Sequence, residues 1–403
     1  MYIGIGSWRD IEEKYSELYK GDYRLLEKRT LKLTEVRTDP FPLTVCGKEQ
    51  VTARLVTSKS RGKLVKGYIY FTSNKNITVE PKAIKISISD ETSVSKTLKL
   101  NLKTSKLGVY YINYKLSSNI GNFKGRIPLI VIGDKGEVEV FRTIENEKEV
   151  LIIDNGLYLL KCSPDFGGTL YAIIKKNTDE NNLLTSFPKP RPFSWMKSWH
   201  GGLTPDLMFD GKLRKEKWNA DYSSIGKWVG VKVWTTATLK EHREYRGLKV
   251  VQHYLTKPYS NIILLLTEIH NPTHKYVEPG FSYYIFTNPG GKIANQLSVF
   301  SEGKWTEWES LGPEIIYPTS DNKQAIVYNE RGALTLIGLE SEEITIGAID
   351  MGFKHGCHLY LYAEGLDYLK PNDTWRIMAY LVLTKSKEEA MNYEWLRFLK
   401  DLL

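Results

Sequence analysis

Asp154-Asn-Gly-Leu-Tyr-Leu-Leu-Lys-Cys-Ser-Pro-Asp-Phe-Gly-Gly-Thr-Leu170 is the stretch that decides how this chain is built. Leu157–Ser163 reads as a strand, Pro164 marks a turn, and Thr169–Lys175 reads as the next strand. A reversal that tight needs residues without a Cβ, so Gly167 and Gly168 are expected where two backbones pass closely.

Downstream, further strands are expected at Val229–Thr238, Leu248–Leu255, Ile262–His270, Phe281–Asn288, Ala325–Asn329, Ala333–Leu339, Glu343–Ala348, His358–Ala363 and Thr374–Leu383. Long spans without helical periodicity imply a large sandwich of two sheets over residues 147–403. A closing helix is expected from Lys387 to Leu402, with Ser386 as N-cap and Glu389 three residues on.

Upstream, Glu145-Asn-Glu-Lys-Glu is a polar joint, and residues 30–146 break into short strands with Ser, Asn and Gly between them. That pattern describes an immunoglobulin-like β-sandwich, preceded by a charged helix from Trp8 to about Arg29 within residues 1–29. The fold class is therefore mostly β, in two modules, and residues 147–385 should fold without the first 146.

Composition narrows the function classes. Aromatics make up 12% of the 403 residues, with 25 Tyr and 10 Trp, which suits half-buried sheet faces and sugar-stacking surfaces alike. Cys46, Cys162 and Cys357 are far apart and odd in number, so neither a disulfide framework nor a metal spacing is expected. No signal peptide is visible, so a cytoplasmic location is expected, with a fragment of a secreted precursor as the alternative. The longest apolar run, Ile262–Leu266, is strand-length, so no membrane span is expected. Residues 1–146 hold 26 Lys/Arg against 16 Asp/Glu, whereas residues 147–403 hold 30 against 31. The basic first module could serve an acidic glycan, nucleic acid or an anionic surface. Runs such as Lys82-Ala-Ile-Lys-Ile-Ser-Ile-Ser fit the plainer account of lysines alternating outward to solvent.

The order of features in residues 147–385 resembles the galactose mutarotase-like β-supersandwich family. The Asp154–Leu170 stretch is similar to that family's opening, Glu268-Ile-His-Asn-Pro-Thr to the strand before its binding face, and Leu369-Lys-Pro-Asn-Asp-Thr-Trp-Arg to the turn before its last core strand. The resemblance implies a sugar as ligand and a histidine just after the strand at Phe281–Phe286. Here that place reads Thr287-Asn-Pro-Gly-Gly. The family's late catalytic Glu has no clear counterpart here, although Glu340 and Glu364 lie in the right part of the chain.

All seven histidines and nine of the ten tryptophans fall in the second module, which is where a site is expected. A sugar ring stacks its C–H face on indole and needs polar partners at its edge. Trp199, His200 and Asp206 bring those types together in Trp195-Met-Lys-Ser-Trp-His-Gly-Gly-Leu-Thr-Pro-Asp; the alternative is a buried Trp under a long loop. Alternation puts Glu268 and His270 on one face, where a carboxylate could tune a base, although such pairs are also common structural hydrogen bonds. Tyr284 and Asn288 could line the sugar face, and Trp305 shares a face with Glu307 as a possible glycan platform. His355, Cys357 and His358 lack a further ligand, so no metal is expected. Phosphate-loop, dinucleotide, nucleophile-elbow and zinc-helix motifs are absent, so no cofactor is expected, and no nucleic-acid-binding motif makes nucleic acid a partner.

The leading reading is a carbohydrate-binding protein that could also act on sugar by proton transfer, with His200, Asp206, Glu268 and His270 as candidate catalytic residues and Trp199, Tyr284, Asn288 and Trp305 as binding residues. The alternative is a non-catalytic glycan-binding module, or an assembly protein that docks through its basic domain. The sequence carries no reading of oligomeric state.

Overall fold

Two sandwiches in series, with the end of the first module's last strand packed against the second module, make up the computed structural model of the protein. It describes residues 34–59, 64–89, 93–207, 211–278, 280–340, 343–364 and 368–399. The helix expected over Trp8 to about Arg29 lies outside these residues.

In the first module β1 (Thr34–Asp39), β3 (Gln50–Lys59), β7 (Ser93–Leu102) and β5 (Ile77–Glu80) form one sheet, in the order β1-β3-β7-β5. The facing sheet takes β2 (Leu43–Cys46), β9 (Gly121–Gly133), β8 (Gly108–Ser118), β4 (Val65–Thr72) and β6 (Ala83–Ile88), in the order β2-β9-β8-β4-β6. Period-two patterning sets the faces: Ile84, Ile86 and Ile88 of β6 and Leu98, Leu100 and Leu102 of β7 are buried between the sheets, while Lys85 and Lys99 point outward.

The second module opens with the meander β10 (Glu139–Glu145), β11 (Lys148–Asp154), β12 (Tyr158–Ser163) and β13 (Thr169–Lys175). Backbone bridges from Leu170 to Leu203 and from Leu203 to Ile285 join this meander to β20 (Gly280–Ile285), β26 (Cys357–Glu364) and β25 (Ile344–Asp350), in the order β20-β26-β25. Facing this layer is an antiparallel sheet of nine strands. Its order runs from β16 (Asn219–Ile225) and β17 (Trp228–Thr236) through β18 (Lys249–Thr256), β19 (Ile262–His270) and β27 (Thr374–Thr384). It continues to β24 (Gly332–Gly338), β23 (Gln324–Asn329), β21 (Gln296–Ser301) and β22 (Lys304–Glu309). Leu265 and Ile269 of β19, Phe281 and Ile285 of β20, and Leu359 and Leu361 of β26 share the core between the layers.

The other face of the nine-stranded sheet is apolar as well. Leu255, Ile262, Leu264 and Tyr380 there join Ile130 and Ile132, at the end of β9, in one buried cluster. The chain's end completes the cover. A short helix, α1 (Lys387–Met391), starts where Ser386 Oγ accepts the amide of Glu389 at 3.3 Å, then tightens into a 3-10 turn over Asn392–Phe398. The buried residues Ala390, Tyr393, Leu396 and Leu399 recur every third position. Three per turn is the 3-10 period, so tightening keeps one unbroken stripe against the sheet where an α-helix would rotate it away.

Among the described residues, edge strand β10 pairs only with β11, from Glu139↔Asp154 to Glu145↔Lys148. A chain beginning at residue 137 keeps this strand, and one beginning at 147 loses it. The longer chain is expected to melt several degrees higher, on the order expected for about 1 kcal/mol or more in a domain of this size; equal melting temperatures in calorimetry would refute a stabilising role for β10.

Candidate binding site

Alternation along β20 and β26 builds the floor of a cavity on the outer side of the second sheet. Phe281, Tyr283 and Ile285 face the core, as do Cys357, Leu359 and Leu361. Tyr284, Phe286 and Tyr360 face the other way, into a separate aromatic cluster. Over this floor folds the hairpin of β14 (Arg191–Phe193) and β15 (Met196–Trp199), in which Phe193 pairs with Met196. Two residues make its turn, with Ser194 at φ 52°. That left-handed conformation matches hairpin twist, and it leaves Trp195 at the tip, 48% exposed.

The segment that follows runs between the two halves of the sheet. Gly201 and Gly202 have φ of 72° and 61°, and a Cβ on either would sit 2.4 Å from the carbonyl oxygen of Leu184 or Leu170. Only glycine fits there. Asp206 ends this segment, exchanging backbone hydrogen bonds with Ser282 at 2.9 and 3.0 Å.

The cavity measures about 390 Å³, and Trp195, Met196, Asp206, Arg214, Tyr284 and Tyr317 are among its walls. Asp206 is buried and accepts the amides of Leu207, at 3.0 Å, and of Gly211. Arg214 stands 3.7 Å from the same carboxylate and is aimed by its own donations to the carbonyls of Gly211, at 2.9 Å, and Ser198, at 3.3 Å. The Tyr284 and Tyr317 hydroxyls are hydrogen-bonded to each other, and burial, with Tyr317 beside it, pushes the Tyr284 phenol well up. Burial also lifts Tyr360, to about 12. These phenols are therefore neutral hydrogen-bonding groups at neutral pH. The wall combines stacking surface, one ion pair and paired hydroxyls. No group of three or more His, Cys, Asp or Glu side chains suited to a metal occurs among the described residues.

The structure brings Asp206 and Tyr284 together at the cavity and sets the other six candidates apart. Trp199 is fully buried behind the wall, stacked on Phe193 at 4.2 Å and edge-on to Phe286 at 5.2 Å. It offers no face to a sugar, because the hairpin ring of Phe193 already covers it. His200 is buried too, with its ring 4.5 Å from Phe166, and burial, then the Arg214 charge, drags its pKa to about 4. Glu268 and His270 do share one face, as alternation requires, but it is the outer face of the nine-stranded sheet, with the whole core between them and the cavity. There Glu268 accepts from Arg376 at 2.9 Å and lies 3.6 Å from His253; that imidazole, then the guanidinium, holds the carboxyl at about 2. His270 meets Thr374 at 3.1 Å.

Asn288 closes a turn by donating to the Asn181 carbonyl at 3.0 Å. Trp305 packs edge-on to Phe300 at 5.8 Å and against the cluster that seats α1, while its neighbour Glu307 pairs with Lys387 at 2.7 Å. His358 is fully buried and accepts the Thr287 amide at 3.1 Å, and Cys357 points into the core. Glu340 lies 3.7 Å from Arg397, and Glu364 accepts from Tyr362.

Trp195, Tyr317 and Arg214 are the cavity residues that pattern reading passed over. Trp195 had a usable signal, since it sits at the centre of a short turn between Phe193 and Met196, where a side chain has nothing to bury against.

No protein-family model matches the sequence, and neither does any curated protein. Among solved structures, the chain is similar to a TPR-domain containing protein from Parabacteroides distasonis, at 12% identity over 70% of this chain, with a TM-score of 0.47; it spans 52% of that protein's length. It is similar to the galactose 1-epimerase of Lactobacillus acidophilus at 12% identity over 62% of this chain and 100% of that one, with a TM-score of 0.41. A galactose mutarotase-like protein from Clostridium acetobutylicum aligns at 13% identity over 62% of this chain and 99% of that one, with a TM-score of 0.44.

Two outcomes follow from the burial. Trp199→Ala is expected to cost about 3–5 kcal/mol of stability in urea unfolding, because it empties a packed aromatic site. His200 must be neutral to stay buried, so its folded pKa of about 4 lies below the ordinary 6.5. The stability it contributes is complete above that ordinary value and is lost as the pH falls through the folded one. Urea midpoints should therefore be flat above about pH 6.5 and drop below it by up to about 1.4 kcal/mol per pH unit for this ring, with a shallower drop in His200→Gln. An identical pH profile in the variant would show that the ring does not titrate in this way.

Proposed function

We propose that the cavity between the β14–β15 hairpin and the β20–β26 floor binds a sugar or the end of a glycan, as a binding site and not as a centre of proton transfer. The observation that carries this reading is the half-exposed Trp195 indole beside the Arg214 guanidinium and the Tyr284–Tyr317 hydroxyl pair. A pyranose needs those two kinds of surface at once, an apolar plane for its C–H face and fixed polar groups for its hydroxyls. The volume, about 390 Å³, falls within the range of small-molecule sites and suits one or two sugar rings.

Proton transfer at a sugar would require an acid and a base free to flank the ring. Asp206 spends its oxygens on the Leu207 and Gly211 amides and on Arg214, so its role is to shape the wall and aim the guanidinium. His200 and Glu268 lie outside the cavity, and these facts favour binding over turnover.

Calorimetric titration with a panel of mono- and oligosaccharides tests the reading. Trp195→Ala should weaken the best ligand by about 1 kcal/mol, roughly fivefold, at an unchanged unfolding midpoint. A panel without any binder, or a variant that binds like the parent, would sink it.

A further inference from the structure

The first module carries a second surface, of a different kind. In the sheet β2-β9-β8-β4-β6, not one strand contains an Asp or Glu. Its outward positions hold Lys66, Lys85, Lys115, Lys124 and Arg126, and none of the five pairs with a carboxylate among the described residues. The opposite sheet mixes its signs, with Asp39 and Arg54 forming an ion pair across β1 and β3. A face that served only solubility would be mixed in the same way.

Two features go beyond a solvated lysine face. Lys115 and Lys124 stand directly opposite each other on β8 and β9, a placement that destabilises a sheet unless an anion lies over it. Between the cations stand Tyr68 and Tyr70, 44% and 46% exposed, with ring centroids 6.1 Å apart and planes 29° from parallel. Lys85 lies across from Tyr68 and Lys115 from Tyr70, so cations and phenols alternate over adjacent strands.

We infer that this face binds a linear anionic polysaccharide, sulfated or carboxylated. The surface is the open face of a sheet, across which an extended chain can lie. Each tyrosine turns one ring face to the other, which leaves the far ring faces, the edges and the hydroxyls for C–H contact and hydrogen bonding to sugars. The cations take the anionic groups of successive residues. This inference stands apart from the cavity on the second module and survives if that cavity binds nothing.

The full chain is titrated with heparin, with uncharged dextran and with an oligothymidylate, at low salt and at about 0.15 M salt, where the screening length is about 8 Å. Heparin binding is expected to persist at the higher salt, with dextran inert and the oligothymidylate weaker than heparin. Tyr68→Ala/Tyr70→Ala and Lys115→Gln/Lys124→Gln should each weaken heparin roughly fivefold or more, with Tyr222→Ala, an exposed ring on the second module and away from both surfaces, as the unaffected control. Should the tyrosine pair not fold, Tyr70→Ser alone is read in the same way. Loss of heparin at the higher salt would reduce the face to a screened lysine surface. Indifference to the tyrosine change, or tighter oligothymidylate than heparin, would overturn the polysaccharide assignment.

Discussion

The second module depends on a strand only a few residues long. Leu203 exchanges hydrogen bonds with Leu170 at 2.9 and 3.0 Å, Gly202 accepts the Phe286 amide at 2.9 Å and donates to Leu184 at 2.8 Å. Without this seam the meander β10–β13 and the trio β20-β26-β25 would be two open sheets, each with an unpaired edge. The seam is held from across the core as well, where Tyr254 on the nine-stranded sheet donates to the Gly168 carbonyl at 3.0 Å. Glycine at 201 and 202 is what lets the seam lie this close, and Asp206 and the cavity wall follow from where it ends.

The imidazoles show how similar chemistry is put to different use by burial. His253 sits between Ser223, at 2.8 Å, and Glu268, with Arg376 beyond, so that a serine, an imidazole and a carboxylate stand in line across β16, β18 and β19. A nucleophilic serine also needs free N–H donors for an oxyanion. The Ser223 row lies inside a ladder of strand pairs, from Ser223↔Gly230 to Glu268↔Arg376, where backbone donors serve the sheet. The row therefore acts as cross-strand hydrogen bonding on the outer face, next to the apolar seat of the first module.

Much of this was legible from alternation alone. Lys85 between Ile84 and Ile86, Trp305 opposite in sense to Trp308, and Glu268 in step with His270 all fall as period two requires. Period two gives relative faces, however, and not which face meets the core; both faces of β19 are apolar for most of its length, so Glu268 could not be assigned inward or outward. Trp199 misled for a related reason. Its neighbours promised a ligand loop, but a nearby ring from a hairpin partner, Phe193, took the indole face, and such a partner is set by tertiary register. The closing helix was readable in its cap, while the three-residue spacing of its buried residues marks a 3-10 turn that a capping pattern alone does not reveal.

Where the cavity lies is itself a consequence of packing. One face of the nine-stranded sheet is filled by the core, and the other is taken at its centre by Ile130, Ile132, Tyr393 and Leu396. The second sheet has the same core on one side, so only its outer face stays open to a folded loop. The stretch between β13 and β16 is long because it must cover Tyr284, Phe286 and Tyr360, which would otherwise form an exposed apolar patch. Covering them with a hairpin whose tip carries Trp195, and with a turn shaped by Asp206, leaves a gap walled by rings and one ion pair. Shielding the aromatic floor and forming the cavity are thus one structural event, at the place where the sandwich cannot close itself.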